Sequence, residues 1–247
     1  LRFKSCLESP EANALHVPGE KWPKLFADCA DLPYILRAYF AWKTERPFQF
    51  VSRIHGRRYS KNNRIKEYSH QGDPQHENMR GLFRYIGYRT HSGFFRFGPE
   101  VEGTDTYPIE VTREHVRPGT VFYEPRGHVL VVSHLDDDGN VYMFDGHPDN
   151  SLTFKVFSDK IKRGSGKRGG GFRNWRWHRM ETDADGVVTY VTETNAEIVA
   201  RGGGYDAASQ YQKPFLWKGE KVDYYTWVKR RLRREIQTTK FFWQQDR

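Results

Sequence analysis

The chain has 247 residues and a mass of 29.2 kDa, with 40 Lys and Arg against 31 Asp and Glu and a formal charge of +9. Its 15% aromatic content excludes a disordered chain, because disordered segments are poor in aromatics. Two cysteines, Cys6 and Cys29, exclude a disulfide framework, and no apolar run approaches the roughly 18–20 residues of a membrane span. The length suits a single domain over 1–247 with a core of its own. No basic segment followed by an apolar one stands at the start. The compartment therefore stays open between the cytosol and an envelope or secreted location with a leader outside this chain.

Residues 1–27 are mixed and polar and read as irregular or short helical structure. Asp28-Cys29-Ala30-Asp31-Leu32-Pro33 then leads into YILRAYFAWK. Leu32, Ile35, Leu36, Tyr39 and Phe40 recur on one helical face. Pro33 belongs in the first turn, where its missing N–H costs nothing, which makes Asp31 the expected N-cap. Cys29 then stands at or just before a helix start. Segment 52–80 is polar and reads as an exposed excursion, 79–90 as a helix, and 91–108 as loop with one short strand. Residues 118–145 give the clearest β signal. TVFYE, HVLVVSHL and VYMFD form an antiparallel meander with turns at Pro125-Arg126-Gly127 and at Asp136 to Asn140. Segment 158–179 is Gly-rich and basic, with eight Lys or Arg, and reads as a loop. TDADGVVTYVTE suggests another strand, and 219–247 a helix carrying KRRLRR at 229–234.

Three residues in this pattern carry chemistry. A cysteine precedes a helix, His128 opens a strand, and Asp145 closes the next one. A hairpin places His128 and Asp145 at its open ends, within reach across the ladder. A helix packed on that sheet brings Cys29 to His128. The order is then nucleophile, base and orienting acid. A helix N-terminus and an adjacent imidazolium both favour a thiolate. His147 is the runner-up orienting residue and Asn150 a weaker one. His134, six residues after His128, shares its face in a regular strand.

The same residues resemble a family. Asp28-Cys29-Ala30-Asp31 before a helix, followed by PGTVFYEPRGHVLVVSHLDDDGNVYMFDGH, is similar to the NlpC-type and CHAP-type cysteine amidases and peptidases. In those proteins a G-D-[LV]-x-x-[FW] strand leads through a short turn to a G-H-V-[AG]-[VI]-[VY] strand, and a polar third residue follows. The likeness covers two blocks, 28–43 and 117–147. Gly119-Thr120 stands where the family carries Gly-Asp. The resemblance implies an α+β fold with a papain-like core, a Cys-bearing helix on a small antiparallel sheet, and 44–110 as an insertion. It implies Cys29 as nucleophile, His128 as general base and Asp145 as orienting residue. It also implies hydrolysis of an amide through a thioester, with a peptide or peptidoglycan-like substrate in the cell envelope. Neither a cofactor nor a metal is called for.

Other readings compete. The same triad could serve acyl transfer, as in transglutaminase-like enzymes. The basic segment with Trp175 and Trp177 suits substrate binding or an anionic polymer, and the chain could be a non-catalytic nucleic-acid or glycan binder. Cys29 could be a buried core thiol or pair with Cys6. Asp136, Asp137 and Asp138 read as a solvated turn, since no distal Glu completes a calcium loop.

Overall fold

The computed structural model describes residues 2–234 except 23, 24, 26, 58, 61, 75, 77 and 125. The expected turn residue Pro125, and any helix beyond 234, lie outside the described residues. In chain order the helices are α1 (Phe3–Leu7), α2 (Asp31–Lys43), α3 (Met79–Arg89), α4 (Asn195–Ala200) and α5 (Tyr224–Leu232). The strands are β1 (Gln49–His55), β2 (Arg64–His70), β3 (Thr106–Pro108), β4 (Val121–Glu124), β5 (His128–Leu135) and β6 (Val141–Gly146). They continue with β7 (Leu152–Val156), β8 (Gly171–Trp175), β9 (His178–Thr182), β10 (Val188–Thr192), β11 (Phe215–Trp217) and β12 (Glu220–Val222).

Six strands form one antiparallel sheet in the order β3-β8-β4-β5-β6-β7. β1–β2, β9–β10 and β11–β12 are separate two-stranded sheets. An antiparallel sheet can leave one face to water; here the middle of the sheet is covered on both. Val121, Tyr123, Val129 and Val131 pack into a core with α2, α3 and β1. Phe122, Leu130, Val132 and Met143, on the opposite face, pack with Ile198, Phe215, Trp227 and Leu232 from the C-terminal elements. The uninterrupted apolar run Val129–Val132 follows from this, since alternate residues bury against different cores.

The expected papain-like core, a Cys helix on a small sheet, is corrected by this architecture. The protein is mostly β, with 29% strand and 23% helix, and its main sheet has six strands. The sequence hides two of them, β7 and β8, whereas β3 falls within 91–108, where one short strand is expected. β8, GFRNW, lies within the Gly-rich basic segment read as a loop. It is an interior strand, paired to both β3 and β4. Its Phe172 and Arg173 are buried, and Arg173 donates from Nε to Thr106 Oγ1 (2.9 Å) and from Nη2 to Thr106 O (2.7 Å). β7 has only five residues, too short for a period-2 signal to stand out. Segment 44–110 is not peripheral: Phe48, Phe50, Leu82, Phe83 and Phe95 from it are buried in the α2 core. Within it, 52–80 forms most of the β1–β2 hairpin, exposed mainly along β2.

α2 buries Leu32, Ile35, Ala38 and Tyr39, but Phe40 is exposed. Its N-terminus is capped by Asp28 rather than Asp31. Asp28 Oδ1 accepts from Ala30 N (2.7 Å) and Asp31 N (3.2 Å), and Asp31 Oδ2 accepts from Asp28 N (3.3 Å). This reciprocal arrangement is an acidic form of the capping box. It fixes the turn that contains Cys29. No helix among the described residues is long and apolar enough to cross a membrane.

Candidate active site

Cys29 enters the site from the capped turn before α2, and His128 and Asp145 enter from β5 and β6. β5 and β6 are neighbours with Val131 opposite Phe144. This register sets His128 and Asp145 on one face as a diagonal pair, close enough for long side chains to meet. His128 Nε2 donates to Asp145 Oδ2 at 2.8 Å. The Cys29 thiol is the second-largest influence that raises the His128 pKa, after Asp145. Cys29 Sγ also lies 3.9 Å from Gly127 O. Cys6 and Cys29 are both free thiols.

Two glycines allow this approach. Gly127 precedes His128 with φ 97°, and an added Cβ would come within 3.0 Å of Ser92 Oγ and Tyr59. Gly146 follows Asp145. A Cβ there would meet the carbonyl oxygens of Ala27 and Asp28 at 3.0 and 3.1 Å. The backbone of the cysteine turn thus rests directly on the end of β6.

Asp145 is fully buried. Burial opposes its ionisation, but hydrogen bonds from His128, Thr153 and Lys155 outweigh it and hold the carboxyl well below the usual carboxylate range. Thr153 Oγ1 donates to Oδ1 (2.5 Å) and Lys155 Nζ to Oδ2 (3.0 Å). Thr153 pairs with Asp145 across the β6–β7 ladder, and Lys155 follows two residues along. The His128 imidazole is pushed up to about 9, first by its bond to Asp145, then by its bond to Cys29, against partial burial. Thr153 and Lys155 are absent from the sequence reading. The signal that could have found them is the alternation Thr-x-Lys in LTFKV.

The runner-up residues lie further out. His147 Nε2 is 3.0 Å from Thr153 Oγ1 and 3.6 Å from Asp145 Oδ2. Asn150 occupies the β6–β7 turn at φ 66°. His134 does not share the His128 face. A register shift between Val132 and His134 reverses the alternation, and His134 stacks on Tyr142 at 4.3 Å. Asp136 turns inward to accept from Asn140 N (2.8 Å) and Asn140 Nδ2 (2.7 Å).

Trp175 and Trp177 line a groove of about 390 Å³, together with Pro33, Arg37 and Phe40 of α2. Cys29 and His128 are not in its lining. The groove's α2 wall begins at Pro33, one helical turn beyond the cysteine. Trp175 is a fixed wall, its Nε1 donating to Gly119 O (3.2 Å) and its ring edge-on to Tyr34 at 5.0 Å. Trp177 is exposed, with the Arg201 guanidinium 4.1 Å from its ring centre.

The KRRLRR segment is largely compensated from within. Arg231 Nη2 donates to Glu110 Oε1 at 2.6 Å and Arg230 Nη1 to Glu220 Oε2 at 2.7 Å. Arg234 and Arg233 lie 3.4 and 3.8 Å from Asp137 and Asp138 of the β5–β6 turn.

Comparison with protein-family models, curated proteins and solved structures returns no match.

Proposed function

We propose that the chain is a cysteine-dependent amidase or peptidase with Cys29 as nucleophile, His128 as general base and acid, and Asp145 as the group that orients and charges the ring. One observation carries this reading: the imidazole meets a buried carboxylate 2.8 Å away, and the Cys29 thiol is next after it among the influences that raise the ring's pKa. An imidazole pushed up to about 9 stays protonated at neutral pH and presents a positive charge to its neighbours.

The reaction then runs in two halves. With the proton already held on His128, the Cys29 sulfur attacks the carbonyl carbon as thiolate, and the carbonyl π pair moves to oxygen. The Cys29 backbone N–H is the proposed donor to that oxyanion. The pair returns, the C–N bond breaks, and His128 gives its proton to the leaving amine. A thioester remains. Water loses a proton to His128 and attacks the thioester. The C–S bond breaks, releasing the acid, and the sulfur leaves as thiolate with the proton on His128.

The likeness of blocks 28–43 and 117–147 to the NlpC and CHAP amidases directs the substrate proposal to cell-wall peptide and the location to the envelope. The test has two arms. Iodoacetamide at neutral pH should label Cys29 at least about tenfold faster than Cys6, whose thiol burial pushes up. His128→Ala should abolish the difference. Purified peptidoglycan incubated with the protein should release fragments with new free amines, seen by mass spectrometry, and Cys29→Ser should release none. Equal labelling of the two cysteines overturns the catalytic reading; a fast Cys29 with unchanged peptide stems overturns the substrate alone.

A further inference from the structure

Three guanidinium groups line the groove beside α2, and among the described residues none forms an ion pair with a carboxylate. Arg37 projects from the helix. Its Nη2 makes one long bond, 3.5 Å, to the carbonyl of Arg176, and its Nε is buried without a partner. Arg46 follows Glu45, a non-glycine residue held at φ 54°. Its N–H donates back to Ala41 O at 2.8 Å, so the chain folds over the end of α2 and sets Arg46 on the groove. Holding Glu45 in the left-handed region costs free energy. Arg117 opens a turn through Pro118 and Gly119 (φ 88°), closed by Thr120 N to Arg117 O at 2.9 Å.

The three are close enough to repel. After burial, Arg46 and Arg117 are the largest influences that push Arg37 down, to about 10, and Glu193 is the acid that opposes them. No carboxylate forms an ion pair with any of the three among the described residues. That contrasts with the C-terminal arginines, which have acidic partners. Like charges gathered without a counterion are costly, and a forked guanidinium binds carboxylate or phosphate in a bidentate way. Beside them Pro33, Phe40, Trp175 and Trp177 give the groove an apolar, partly aromatic wall.

We propose that this groove binds an oxyanion, a carboxylate or phosphate, carried on a flat apolar body. Arg37, Arg46 and Arg117 take the oxyanion, and Phe40 and Trp177 take the body. The groove starts one turn beyond Cys29, so it would seat an anionic portion of the substrate. Only this assignment to the substrate rests on the catalytic reading; the binding itself does not.

The test is a tryptophan-fluorescence titration of the Cys29→Ser protein, which removes the thiol chemistry. The probes are benzoate, phenyl phosphate, inorganic phosphate and, as the neutral analogue, benzamide. Benzoate or phenyl phosphate should saturate at least about tenfold tighter than benzamide, and the ratio of the two identifies the preferred headgroup. Inorganic phosphate should bind more weakly than phenyl phosphate, since it lacks the body. Arg117→Met and Arg46→Gln, both at exposed positions, should each weaken the anion several-fold, and Arg230→Met, outside the groove, should not. Benzamide binding as tightly as benzoate, anions that do not saturate, or an Arg117→Met protein that binds as before would overturn the proposal. Intact anion binding with an unreactive Cys29 sinks the catalytic reading instead, and a fast thiol without anion binding sinks this one.

Discussion

Asp145 has no contact with solvent, and its neighbours decide its charge. Three donors keep it ionised, and its charge in turn holds the proton on His128. The ring should titrate near pH 9, and Asp145→Asn should move that midpoint down by at least about one unit towards the ordinary 6.5. Histidine NMR reads this directly; a wild-type midpoint below about 7 would contradict the coupling. The sign for stability follows. His128 binds its proton more tightly folded than unfolded, so its contribution is full below about pH 6.5 and is lost as pH rises through about 9. The Asp145 contribution runs the other way, present above about pH 3.9 and lost on acidification. Thr153→Val keeps the side-chain shape but removes the donor to Oδ1. It should cost about 1–3 kcal/mol in denaturant unfolding and raise the Asp145 pKa.

At the scale of elements, the site is a junction where the turn before α2 rests on the ends of β5 and β6. Gly146 has no side chain because the Ala27 and Asp28 carbonyls occupy that space. Gly146→Ala should destabilise the protein by about 1–3 kcal/mol and slow Cys29 alkylation by pushing the turn away from His128. Equal labelling rates in the variant and the parent would show that the turn does not depend on this contact. The meeting of His128 and Asp145 was legible because hairpin geometry is a local rule. The glycine contacts were not, since they depend on two backbones more than a hundred residues apart. β7 was missed because it is a short edge strand whose apolar Phe154 and Val156 are exposed rather than in the core, and with it went Thr153 and Lys155. β8 was missed because its glycines and arginines have the composition of a loop, whereas Arg173 is buried and bonded to Thr106. The Asp31 cap failed by three residues, because Asp28 competes for the same N–H groups and reaches them first.

For the molecule as a whole, two buried groups pull the pH dependence of stability in opposite directions. Asp105 is pushed up to about 7 by burial, although it accepts from Tyr34 Oη (2.7 Å) and Val51 N (2.9 Å). Folded, it keeps its proton to about pH 7, whereas unfolded it releases it near 3.9. This contribution therefore weakens as pH rises from about 4 to 7. His178 is pushed down to about 3, by burial and then by Arg37. It resists protonation in the fold, so stability is lost as pH falls from about 6.5 towards 3. Asp105→Asn keeps an acceptor for Tyr34 and removes the first effect alone. Its thermal midpoint should climb more steeply between pH 4 and 7 than that of the parent protein, measured across a buffer series; parallel curves would place the Asp105 proton elsewhere. Net charge is another whole-molecule property that misleads when read as a sum. Much of the C-terminal share of the +9 is answered by Glu110, Glu220 and the aspartates of the β5–β6 turn.

The shared carboxylate on β6 also dictates when reactivity can arise. Its full set of donors includes a threonine and a lysine from the outermost strand, so a nascent chain holding the cysteine and the histidine still lacks a completed charge relay until residues past 155 have emerged and docked. On the proposed catalytic reading, the Cys29 thiol would stay slow to react until that point. Its alkylation rate in a refolding experiment would serve as a clock for closure of that edge of the sheet.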